Sequence, residues 1–169
     1  MKRFIVLFLL TILAVSAAPQ ADAQSDGPII RTELDTDSVI PGQAAILRIT
    51  VLAPTFLPSP PVWPDLSQPD LMIRLPERAT GAVSESIDRV TWAGVSRAYR
   101  VIPLVPGSFA IPPQDVVVTW ADPDTSAPRS TTLRTEAVTI RGGIPAGAEG
   151  LGPFIAATGL TLEQTLDIV

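Results

Sequence analysis

The sequence predicts an all-β protein: an immunoglobulin-like antiparallel β-sandwich of about seven strands, preceded by a signal peptide helix. Three observations point there. Eighteen prolines are spread over 169 residues, too many for a helical domain, because proline breaks helix interiors and belongs at turns and edges. Apolar and polar residues alternate in short runs, the period of a half-buried strand. Pro, Gly and Asp punctuate those runs about every 8–12 residues.

The first segment, 1–23, stands apart. Lys2 and Arg3 give a positive start, Phe4–Val15 is an uninterrupted apolar run, and Ser16–Ala23 turns small and polar, ending Ala21-Asp22-Ala23. The run is about 12 residues, whereas a membrane-spanning helix needs roughly 20. Charge, apolar run and small-residue site in that order read as a secretory signal cleaved before Gln24. An uncleaved anchor or a buried core helix is the competing reading. No second run long enough to cross a bilayer follows, so no direct membrane span is expected after cleavage.

The sandwich is expected over 24–141. Ile29–Asp35 is the first strand, and Pro41-Gly42 supplies a turn after it. Gln43–Leu52 follows, with Leu47, Ile49 and Val51 on one face and Arg48 and Thr50 on the other. Pro54–Pro64 reads as an extended crossing between sheets, and Leu71–Leu75 as a short strand. Ala82–Trp92 and Ser96–Val105 are expected to form an antiparallel pair joined around Ala93-Gly94, with Tyr99 and Val101 facing one way. Pro106-Gly107 is a tight turn, Phe109–Ile111 continues the chain, and Pro112-Pro113 stops it. Asp115–Trp120 and Thr132–Ile140 complete the set across a polar loop, Asp122–Ser130. A small open barrel is the competing architecture for these strands. From 142 to 153, glycines and two prolines read as a linker. The segment 154–169 is either a tail or the start of a truncated second domain.

Composition excludes several functions. Without the signal, ten arginines face sixteen carboxylates, a net charge of about −6. Such a surface repels phosphate backbones, so nucleic acid is not an expected partner. There is no cysteine, so packing alone must hold the domain. After residue 23 there is also no histidine and no lysine. That removes Ser-His-Asp, Cys-His and Ser-Lys chemistry, Schiff bases and His/Cys zinc sites. The remaining carboxylates show no pair set apart for acid–base work. No enzyme activity, catalytic residue, cofactor or metal site is therefore expected. Asp35 with Asp37, and Asp122 with Asp124, Thr125 and Ser126, are oxygen-rich, but each offers two carboxylates where calcium takes six to eight ligands, and they read as turns.

The aromatic residues bear on binding. Sandwich cores bury Trp and Tyr, so Tyr99 and at least one of Trp92 and Trp120 are expected inside. Trp63, set among prolines, is the best candidate for an exposed binding aromatic. With Phe56, Pro60 and Pro61 it makes up the candidate interaction surface.

Ser96–Pro113 reads SRAYRVIPLVPGSFAIPP; upstream lie DSVIPGQAAILRITV (Asp37–Val51) and PVWPDLSQPDL (Pro61–Leu71). In order and spacing these resemble the N-terminal part of BatD, the bacterial aerotolerance family, over roughly Ile29–Ile140. The resemblance implies a protein of several sandwich domains, periplasmic or on the periplasmic side of the inner membrane. It also implies partnership with von Willebrand A-domain proteins and a MoxR-type ATPase system. The family's later domains and C-terminal transmembrane helix have no counterpart here, and it offers no catalytic residues to carry over. The expected function is thus a non-enzymatic envelope protein-interaction module. A carbohydrate-binding or adhesion module on the same fold is the alternative, and a pilus-type chaperone a weaker one, since no basic anchoring pair is found.

Overall fold

A computed structural model describes residues 27–152, with 159, 161 and 163–165. The signal helix expected at 1–23 and most of the tail expected at 154–169 lie outside the described residues. No helix long and apolar enough to cross a membrane occurs among the described residues.

Ten strands make the fold: β1 (Ile29–Leu34), β2 (Ser38–Val39), β3 (Ala45–Ala53), β4 (Leu71–Arg74), β5 (Thr80–Ile87), β6 (Val90–Pro103), β7 (Gly107–Ile111), β8 (Asp115–Ala121), β9 (Pro128–Arg134) and β10 (Val138–Gly142). The all-β class is as the proline content and alternation require. The strand count exceeds the seven expected because proline and turn residues cut longer extended runs. Ser38–Val39, beyond the first expected strand, forms the short β2, and a break at Thr135–Ala137 divides the Thr132–Ile140 run between β9 and β10.

One layer is a five-stranded sheet in the order β1-β3-β6-β4, with β5 also on β6. Strand β6 is the longest. It lies antiparallel to β3 from Ala93 to Val101 along one edge, and carries β5 and then β4 along the other. The facing layer is divided: β2-β10-β7 form one sheet and β8-β9 another. All pairings are antiparallel except that of β2 with β10.

The core lies between these layers. Leu47 and Ile49 of β3 and Tyr99 and Val101 of β6 meet Ile111 of β7 and Ile140 of β10, all buried. Val51, one step along the same face of β3, meets Val116 and Val118 of β8. The alternation read from the sequence therefore selects the buried face of β3 correctly. Burying each such side chain contributes about 1.5–3 kcal/mol.

The turns obey local chemistry. Pro41-Gly42 occupies the centre of a tight turn closed by the Gln43 N–H donating to the Ile40 carbonyl at 2.9 Å. Gly42 takes φ +89° there, which glycine adopts without steric cost. The β5–β6 hairpin departs from expectation. Its turn is Asp88-Arg89, between the paired Ile87 and Val90, not Ala93-Gly94. Both turn residues have positive φ, 51° and 67°, as a two-residue hairpin loop requires.

Ala93-Gly94 instead lies inside β6, where the glycine has another purpose. Gly94 pairs with Leu52 of β3, and the backbones approach so closely that a Cβ at 94 would sit 1.9 Å from the Val51 carbonyl oxygen. Only glycine fits. Gly94→Ala is expected to lower unfolding free energy by about 3 kcal/mol, the upper part of the range for overpacking, measured by urea denaturation. Gly81→Ala, with nothing within 4 Å of the added carbon, is the control and is expected to change little.

Candidate interaction surface

The proline-rich segment does not simply cross between sheets. It runs alongside β8 and pairs with it intermittently. The Val62 N–H donates to the Val117 carbonyl at 2.9 Å, and the Val117 N–H returns a bond to Val62 at 3.2 Å. Further along, the Ala121 N–H donates to the Phe56 carbonyl at 3.0 Å, and the Thr55 hydroxyl donates to the Ala121 carbonyl at 2.6 Å. Pro58, Pro60 and Pro61 have no N–H to offer, so a full ladder cannot form between these anchors.

This arrangement sorts the four expected surface residues. Phe56 is 54% exposed and Pro60 is also exposed. Pro61 is buried. Trp63 is half-buried and packs against both core clusters, while the Arg97 guanidinium lies 4.7 Å from its ring centroid. Its free face is thus taken by a cation from β6. The residue that sequence reasoning missed is Val62, the most exposed large apolar side chain, at 64%. It sits beside Val117, itself exposed on the outward face of β8. Pro61, Val62 and Trp63 are all apolar, so no alternation in the sequence marks Val62 as the outward residue.

Phe56, Pro58, Pro60, Val62 and Val117 therefore form an exposed apolar ridge along β8. Beside it, Leu57, Pro58 and Pro60 wall an open groove of about 320 Å³ against Thr80, Ala82 and Val95. A second apolar hollow, about 400 Å³, lies at the end of the sandwich between Leu104–Pro106 and Ile144 and Leu151. The other large aromatics are not at the surface: Trp92, Trp120 and Tyr99 are buried.

The oxygen-rich loop between β8 and β9 is organised from within. Asp122 Oδ1 accepts from the Asp124 N–H at 3.0 Å, the Thr125 N–H at 2.8 Å and the Thr125 hydroxyl at 2.9 Å. Its other oxygen forms an ion pair with Arg129, 2.8 Å from Nε. The Thr125 bonds, aided by the Arg129 charge, hold the Asp122 carboxyl below its ordinary pKa. In the other loop, Asp35 Oδ1 accepts from the Ile46 N–H at 2.7 Å. Asp122 thus spends its carboxylate on its own loop, and Asp35 on the start of β3.

Two outcomes follow. Trp63→Ala is expected to cost about 2 kcal/mol in urea denaturation, because it removes packing from both clusters, while Phe56→Ala changes stability by less than about 0.5 kcal/mol. Because the Asp122 carboxyl is held low in the folded state, its contribution is present above the unfolded value of about 3.9 and is lost as pH falls through the folded value. The stability gap between the native chain and Asp122→Ala is therefore expected to be full at neutral pH and to close in acid, below about pH 4, as read from urea melts at successive pH values.

In comparisons with known proteins, no family model matches this chain, and no curated protein or solved structure matches it either.

Proposed function

We propose that this chain is a non-enzymatic protein-interaction module of the cell envelope, BatD-like, exported to the periplasm or to the periplasmic side of the inner membrane. It acts there within an aerotolerance or envelope-stress system, with von Willebrand A-domain proteins and a MoxR-type ATPase system as partners. The observation that carries the proposal is the ridge of Phe56, Pro60, Val62 and Val117. Large apolar side chains are held outward on a segment whose prolines pre-set its extended shape, so little ordering entropy opposes docking. Beyond residue 23 there is no histidine, cysteine or lysine to act as a nucleophile, which supports binding over turnover.

The immunoglobulin-like reading of the fold belongs to the same proposal. Taking β7 with β8, and β9 with β10, as single interrupted strands gives one sheet β1-β3-β6-β5 and a facing sheet in which the last strand pairs the one before it. The Val62 bridge then adds an edge to β8. This order is consistent with an ABED and CFG arrangement and supports the reading, with the Leu71–Arg74 and Ser38–Val39 pieces taken as accessory to it. The carbohydrate alternative loses support, because sugar stacking needs a flat open aromatic face. Trp92, Trp120 and Tyr99 are buried and Trp63 stacks on Arg97.

The test is isothermal titration calorimetry of the purified chain with the von Willebrand A-domain protein and the MoxR-type ATPase of the same organism. Binding to one of them is expected, weakened about tenfold, or ~1.4 kcal/mol, by Phe56→Ala or Val62→Asp. No binding to either, together with a saturable response on a glycan panel, refutes the proposal.

A further inference from the structure

We draw no further inference here: the strongest candidate, the free edge of β5 (Thr80–Ile87), pairs with β6 on one side only among the described residues, and nothing in the structure shows what covers the other side.

Discussion

Strand β6 is the member on which the rest depends. Within its fourteen residues, Ala93–Val101 pair with β3 on one side while β5 and β4 take the other, so the backbone groups of its middle are satisfied where it is most buried. Tyr99 and Val101 on its inner face supply core contacts, while Arg97, further back on that face, reaches out to stack on Trp63. The close approach of Gly94 to Val51 brings β3 and β6 tightly together where the two core clusters meet. Cohesion without disulfides comes from this ladder and the apolar layer beneath it.

The outer face of the same sheet is also organised. Leu52 is fully buried there and Trp92 nearly so. Thr50 and Ser96, opposite one another on β3 and β6, share a hydroxyl bond at 3.1 Å. Arg31 of β1 reaches Glu85 of β5 across the two intervening strands, and such a partly exposed ion pair adds little stability by itself. Its geometry does orient Glu85 along the sheet.

Much of the fold was legible because its signals are local. Leu47, Ile49 and Val51 alternate with polar residues, and Pro41-Gly42 fits only a turn. The hairpin at Asp88-Arg89 was not legible. Loops with two positive φ values normally announce themselves with Asn-Gly or Asp-Gly, and arginine carries no such mark, whereas Gly94 looked like a turn and is a packing glycine. The long Thr132–Ile140 run hid its break for a similar reason. At Thr135 the hydroxyl accepts from the Gln114 N–H at 2.8 Å and the N–H donates to the Gln114 carbonyl at 2.9 Å, a contact between distant residues that no local pattern encodes. The surface was half legible. Proline density marked an exposed segment, but which side chains point outward depends on the Val62–Val117 bridge.

The interruption at Pro112-Pro113 divides the second layer into two leaves of unequal hold. The leaf of β7 and β10 closes over the larger cluster, whereas β8 and β9 close over Val51, Val116 and Val118. Amide hydrogens in the two leaves therefore have no reason to exchange with solvent together. The β8–β9 leaf, which closes over the smaller cluster, is expected to exchange ahead of the β7–β10 leaf.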